Sequence, residues 1–364
     1  MGAARTLARP RRDQGPAALD RPDRGAPGGG AGQLSSDEIV LLATPIFGAP
    51  ISAEHAARLE AVPGVRVVQM SREGLVHDNA EAELASARVL LRGGVPASVL
   101  DHIVARTPRL EWIHSFSAGV DRVATAVVRE RALTVTNARG VFSRPIAEYV
   151  VMMSLAIARR LPQLLELQRE RTWQPLRGTE LGGMTVGIVG FGSIGREIAS
   201  LLAPFEAHIL ATRRHPERGA GDLPNVELLP LDQLDELLRH SDIVVVAAPL
   251  TDDTAGLIGA AQLQEMPEHA WLINISRGRL LDELALRRAL EAGWIGGAVL
   301  DVFNEEPLPP DSPLYGVPNL IITPHTSWSS DRVVDRSIDL FVENLRRFAA
   351  GEELENVVDL EAGY

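Results

Sequence analysis

Along residues 39–138, and again along 184–325, short runs of aliphatic residues bounded by glycine, proline and polar turns alternate with stretches whose apolar positions recur every three to four residues. The first series of apolar runs is IVLLAT (39–44), VRVVQM (65–70), VLLRGG (89–94), EWIHSF (111–116) and LTVTNA (133–138). The second is MTVGIVG (184–190), AHILAT (207–212), DIVVVAAP (242–249), HAWLINIS (269–276), GGAVLDVF (296–303) and NLIITPH (319–325). Near-continuous apolar runs of this length suit strands buried on both faces. Their alternation with helical stretches predicts an α/β protein of two doubly wound units with parallel sheets, Rossmann-like and flavodoxin-like, with the active site in the cleft between them. Pro145 to Arg171 forms an apolar helical stretch long enough to cross from one unit to the other. Its apolar residues exceed one face, which predicts burial against a partner subunit as well as the core, and Pro162 should kink or break it. A last amphipathic helix, about Asp331 to Ala349, is predicted to run back and complete the first unit.

The strand at 185–189 runs into Gly190-Phe191-Gly192-Ser193-Ile194-Gly195, and REIASLLAPF (196–205) continues with helical spacing. Strand, GxGxxG loop and helix in this order suit a dinucleotide pyrophosphate. The first glycine permits the tight turn, the second lets the backbone approach the phosphates, and the third lets the helix pack close to its strand. The phosphates would sit on the free N–H groups of the helix beginning near Ser193. NAD calls for an acid at the end of the next strand, about 20 residues beyond the loop, to bind the ribose 2′-hydroxyl. The chain has Thr212-Arg213-Arg214 there. Two guanidiniums suit a 2′-phosphate, so the expected cofactor is NADP(H) in preference to NAD(H). The expected domains are 35–143 plus 329–364 for substrate and 144–328 for the dinucleotide.

The chain has 364 residues, 45% of them apolar, which is enough for two cores. It has no cysteine, which removes disulfides, iron–sulfur clusters and a thiolate nucleophile. None of its 36 basic residues is lysine, which removes Schiff-base chemistry and a lysine general base. A net charge of −12 argues against nucleic acid as a partner. No apolar run reaches the ~18 residues of a membrane span, and no metal site is expected. Residues 1–34 are rich in Arg, Pro, Gly and Ala without periodicity. They read as a disordered leader without the apolar core of a secretory signal, and the expected location is the cytoplasm.

Ligands of open α/β sheets bind beyond the carboxyl ends of the strands. In the second series those ends carry Ser276-Arg277-Gly278, Asn304-Glu305-Glu306-Pro307 and Pro324-His325-Thr326. Reducing a 2-oxo acid needs a cation for the carboxylate, a proton donor for the carbonyl oxygen, and a carboxylate to orient that donor and keep it protonated. Arg277, His325 and Glu306 supply these in turn. Singly each has a plain structural reading, as an ion pair, a capped loop or a solvated turn; behind a dinucleotide loop they form a candidate catalytic set. Arg92 is a candidate second cation at the substrate mouth, with a surface arginine as its alternative. The other eight histidines read as structural.

The segments VGIVGFGSIGREIA (186–199), PLTDDTAGLI (249–258), INISRGRLLDE (273–283), GGAVLDVFNEEPLP (296–309) and LIITPHTSW (320–328), in this order, resemble the D-isomer-specific 2-hydroxyacid dehydrogenase family over nearly everything from residue 36 onward. The resemblance implies that Arg277, Glu306 and His325 fill the catalytic positions, that Asp301 contacts the nicotinamide carboxamide, and that Pro249 and Ile275 lie against the dinucleotide. It also implies that Ser117-Ala118-Gly119-Val120 offers backbone N–H groups to the substrate carboxylate, and that a homodimer forms through 145–171. In this family Arg213 in place of the acid accompanies NADP-preferring glyoxylate and hydroxypyruvate reductases, and the short tail after residue 350 speaks against the longer phosphoglycerate dehydrogenases. The expected activity is NADPH-dependent reduction of a small 2-oxo acid to the D-2-hydroxy acid. The alternatives are a bulkier or phosphoglycerate-type substrate, or a dinucleotide-sensing binding protein without turnover.

Overall fold

The computed structural model describes residues 38–76, 81–120 and 122–361, so the expected leader lies outside the described residues. Two parallel sheets make up the described chain. The first holds β1 (Ile39–Ala43), β2 (Val65–Gln69), β3 (Val89–Arg92), β4 (Trp112–Ser115) and β5 (Thr134–Asn137) in the order β2-β1-β3-β4-β5, the flavodoxin-like winding. Helices α1 (Ala53–Glu60), α2 (Glu81–Ser86), α3 (Ala97–Arg106) and α4 (Ala126–Glu130) make its crossovers. Polar caps start two of them: Ser52 Oγ accepts from His55 N at 3.1 Å and Thr125 Oγ1 from Val128 N at 3.3 Å.

The apolar stretch that follows is two helices, α5 (Ser143–Ala158) and α6 (Leu161–Arg169). They part at Arg160, which is left-handed at φ +56°, and Pro162 stands in the first turn of α6, where a missing N–H is tolerated. The second sheet holds β6 (Thr185–Val189), β7 (His208–Thr212), β8 (Val226–Leu229), β9 (Ile243–Val246), β10 (Trp271–Asn274), β11 (Gly297–Leu300) and β12 (Leu320–Ile322), ordered β12-β11-β10-β9-β6-β7-β8. This is the Rossmann order with one strand more, and it reverses between β6 and β9. Helices α7 (Ser193–Leu202), α8 (Leu234–His240), α9 (Ala260–Glu265) and α10 (Glu283–Glu291) belong to this sheet, and α11 (Val333–Ala350) closes the chain.

β8 is the strand that the apolar pattern missed. It is an edge strand of four residues, half exposed, pairing only with β7 between Pro224 and Pro230, so neither length nor hydrophobicity marks it. Each sheet is buried on both faces. In the second, α5 and α7 cover one face through Val150, Ile157, Ile198 and Leu202, and Leu237, Leu263, Leu286 and Leu290 of α8–α10 cover the other. In the first, Ile338, Phe341, Val342 and Leu345 of α11 pack on Leu41, Leu91 and Trp112, so the C-terminal helix covers the first sheet.

Candidate active site

The glycine loop leaves β6 through Gly190, whose φ of +101° is left-handed and whose absent Cβ would stand 2.7 Å from the backbone of Ala248. Thr212, buried at the end of β7, holds this loop twice: its Oγ1 accepts from Gly190 N at 3.2 Å and its carbonyl from Phe191 N at 2.9 Å. Its side chain thus supports the loop from beneath. Gly192 is the N-cap of α7 and supplies no side-chain cap, and a Cβ built on it would meet nothing within 4 Å. Ser193 is exposed, Ile194 half-buried, and Gly195 packs under the loop against Gly190 O. An uncapped helix N-terminus with open space in front of its second glycine fits a pyrophosphate. Of the two arginines after β7, Arg213 donates through Nη1 to Gly219 O at 3.0 Å, and Arg214 is exposed. Pro249 is exposed beyond β9, and Ile275 is buried just beyond β10.

Arg277, Glu306 and His325 stand beyond the carboxyl ends of β10, β11 and β12, three strands adjacent in the sheet. Asn274, the last residue of β10, shapes the first of these ends: its Nδ2 donates to Arg277 O and its Oδ1 accepts from Ser276 N, both at 3.1 Å. Arg277 is half-buried, with Nη1 donating to Ser276 O at 2.8 Å. Gly278 lets this turn lie against the chain leaving β11, because a Cβ there would stand 2.0 Å from the carbonyl carbon of Phe303. The Glu306 carboxylate is held at both oxygens. Oε1 accepts from Phe303 N at 3.0 Å, and Oε2 lies 2.8 Å from His325 Nδ1. His325 is left-handed at φ +49°, a conformation that few residues other than glycine adopt. With Nδ1 engaged, Nε2 is the nitrogen left to act on a ligand.

Asp301, expected at the nicotinamide carboxamide, lies just beyond the end of β11. It has 0% exposure. Its Oδ1 accepts from Thr323 Oγ1 at 2.6 Å and Thr326 N at 2.9 Å, and its Oδ2 from Ser327 N at 2.9 Å. A buried carboxylate needs such donors, and by collecting them Asp301 clamps both sides of the His325 turn. Thr323 Oγ1 in turn lies 2.7 Å from the Tyr149 hydroxyl, whose pKa burial pushes up to about 12 with help from the Asp301 charge. Tyr149 therefore stays a protonated donor and ties α5 to this loop.

Across the cleft, the loop after β4 is held by its carbonyls. Asn137 Nδ2 donates to Ala118 O and Ser117 Oγ to Gly119 O, both at 2.8 Å. Among the described residues the Ala118 and Gly119 N–H groups donate to no protein acceptor, as an anion-binding loop requires. Arg92 is not a surface arginine. It is 3% exposed at the end of β3, where Nη2 donates to Val95 O at 2.6 Å. The sequence reading missed Asn137 and Asn274, the two asparagines that shape the binding loops; their signal was a polar residue ending an apolar strand, in TVTN and WLIN. Among the described residues no group of three or more His, Asp or Glu side chains is arranged to hold a metal, and no helix is long and apolar enough to cross a membrane.

Residues 151–327 match the family model for the D-isomer specific 2-hydroxyacid dehydrogenase, NAD binding domain. A glyoxylate reductase of Thermofilum pendens is 34% identical over 319 residues, which are 82% of this chain and 91% of the relative. The D-isomer specific 2-hydroxyacid dehydrogenase of Xanthobacter autotrophicus Py2, solved with NADPH and MES, superposes with a TM-score of 0.78 at 31% identity, covering 90% of this chain and 99% of that one. The NADPH-dependent glyoxylate/hydroxypyruvate reductase of Sinorhizobium meliloti, solved with NADP and sulfate, gives 0.75 at 27% identity, covering 90% and 100%. Two parallel sheets wound in the flavodoxin and Rossmann orders, joined to these similarities, show that the chain belongs to the D-isomer specific 2-hydroxyacid dehydrogenase family of NAD(P)-dependent enzymes.

Proposed function

We propose that the chain reduces small 2-oxo acids of the glyoxylate and hydroxypyruvate type to D-2-hydroxy acids, with NADPH preferred to NADH. The observation that carries this reading is the 2.8 Å pair of His325 Nδ1 and Glu306 Oε2, which follow the two strands next to that of Arg277 in the same sheet. Arg277 grips the substrate carboxylate and polarises the neighbouring carbonyl. The Ala118 and Gly119 N–H groups receive the same carboxylate from the other lobe. Nicotinamide, when bound, supplies the hydride. His325 gives the Nε2 proton to the carbonyl oxygen, which becomes the product hydroxyl, and in the reverse direction it takes that proton back. Glu306, pinned by Phe303 N, keeps the ring turned so that Nε2 faces the substrate.

The cofactor preference rests on Arg213 and Arg214 at the end of β7, where an NAD site carries an acid. The two NADP-bound structural relatives agree with it. The test is the initial rate of glyoxylate and hydroxypyruvate reduction with each cofactor, on the wild type and on Arg213→Ala/Arg214→Ala. Preference for NADPH by about tenfold or more in kcat/KM, lost in the double variant, is expected. Equal rates with both cofactors would remove the phosphate clamp, and no rate with either would remove the reaction.

A homodimer through α5 and α6 belongs to the same proposal. Met152, Leu161, Leu164 and Leu165 are exposed large apolar side chains along these helices, and Trp173 beyond them is wholly exposed. Such a patch marks an association surface. Leu164→Asp/Leu165→Asp should halve the mass found by light scattering, and a wild type that already runs as a monomer would refute it.

A further inference from the structure

Three residues beyond β1 the chain reverses over Ile46–Ala49, whose backbones exchange two hydrogen bonds: Ile46 N to Ala49 O at 2.8 Å and Ala49 N to Ile46 O at 3.0 Å. The two tip residues, Phe47 and Gly48, have φ of +48° and +83°. Both are left-handed, as in a type I′ turn, for which Asn-Gly is the favoured pair. Glycine enters this region freely, whereas a side chain such as phenylalanine strains the backbone there.

The ring makes contacts that offset this strain. It stacks on Trp328 at 4.5 Å between centroids and 22° between planes, and meets Phe116 edge-on at 5.7 Å. Trp328 is itself held edge-on by Phe142 at 6.2 Å. Trp328 stands three residues after His325, and Phe116 directly precedes the 117–120 loop. Phe47 therefore bridges the loop that holds the imidazole and the loop that offers the anion-binding N–H groups, one from each sheet. At this spacing nothing fits between the two stacked rings, yet Phe47 remains 50% exposed, so its outer side is open to a ligand. Thr44 joins the turn to the neighbouring loop, its Oγ1 accepting from Gly93 N at 2.7 Å.

We infer that Phe47 is a specificity-determining residue that limits substrate size. The inference rests on the reduction reading above and adds to it. On that reading Arg277 and the 118–119 loop hold the carboxylate and His325 holds the carbonyl oxygen, so the remaining substituent on the reacting carbon points at the gap between the loops. The Phe47–Trp328 stack closes that gap. It admits hydrogen or a hydroxymethyl group and rejects branched and aryl side chains.

Phe47→Asn is the informative variant, since Asn-Gly keeps the I′ turn while the ring is lost; Trp328→Leu removes the stack from the other lobe. The measurement is kcat/KM with NADPH for glyoxylate, hydroxypyruvate, 3-methyl-2-oxobutanoate and phenylpyruvate, with the melting temperature of each variant. In both variants the ratio of bulky to small substrate should rise by about tenfold or more, mainly through KM. A ratio within about twofold of wild type in folded Phe47→Asn overturns the size limit and leaves the reductase reading intact. A wild type that already prefers phenylpyruvate to glyoxylate overturns it as well. If Phe47→Asn does not fold, Trp328→Leu decides on the same criterion. A wild type that reduces none of the four acids removes the reading of the site, and the size limit with it.

Discussion

His114, on β4 two residues before Phe116, is fully buried, and its protonation should govern how this protein responds to acid. Its Nδ1 lies 2.8 Å from Thr136 Oγ1, and its ring packs against Trp112 and Phe341 at 6.2 and 5.0 Å between centroids. Burial holds its pKa down to about 3, against about 6.5 for a solvated imidazole. Between these values the unfolded chain binds a proton that the folded chain refuses, so stability rises with pH across the window. The contribution is fully present above pH ~6.5 and is lost at about 1.4 kcal/mol per pH unit below it, which makes about 2 kcal/mol at pH 5. His114→Leu removes the titration and keeps an apolar side chain of similar volume, while Thr136 retains its 2.8 Å bond from Trp112 Nε1. Urea unfolding of both proteins at pH 7.5 and pH 5 isolates the effect, because every other titrating group is common to the pair. The wild type should lose about 2 kcal/mol more than the variant on acidification. A double difference below about 0.5 kcal/mol would refute the argument, since a buried neutral imidazole cannot be indifferent to pH over this range.

Two further outcomes test the site. His325→Ala should lower turnover by about 10²-fold or more while NADPH affinity, measured by fluorescence titration, stays nearly unchanged; turnover within a few fold of wild type would deny His325 its part. Gly278→Ala forces a methyl group into the carbonyl of Phe303, so it should cost about 1–3 kcal/mol in urea unfolding. It should also lower kcat/KM by about 10²-fold through displacement of Arg277, and unchanged stability would show that the turn yields more easily than its packing implies.

The amino-acid pattern determined most of the architecture. Runs such as IVVV and WLIN are apolar throughout because both faces of a parallel strand are covered, and that property is local enough to be read without the fold. The glycine loop and the strand-end residues Arg277, Glu306 and His325 were legible for a related reason. Chemistry at the carboxyl ends of parallel strands follows from winding, and winding follows from the alternation of strand and helix. β8 escaped notice because its four residues are half exposed and include a glutamate, so no apolar run marks it. What the tertiary structure alone decided lies in contacts between distant segments. Sequence could not show that Asp301 is sealed beneath the His325 turn, because its three donors come from a loop beyond the next strand. Nor could it show that Arg92 is buried, or that Phe47 meets Trp328 across the two lobes. Phenylalanine is a poor residue for a left-handed turn, so local preference argued against the conformation that packing imposes. Secondary structure and strand-end chemistry follow from neighbours in the chain, whereas the walls of the cleft follow from how two separately wound sheets come together.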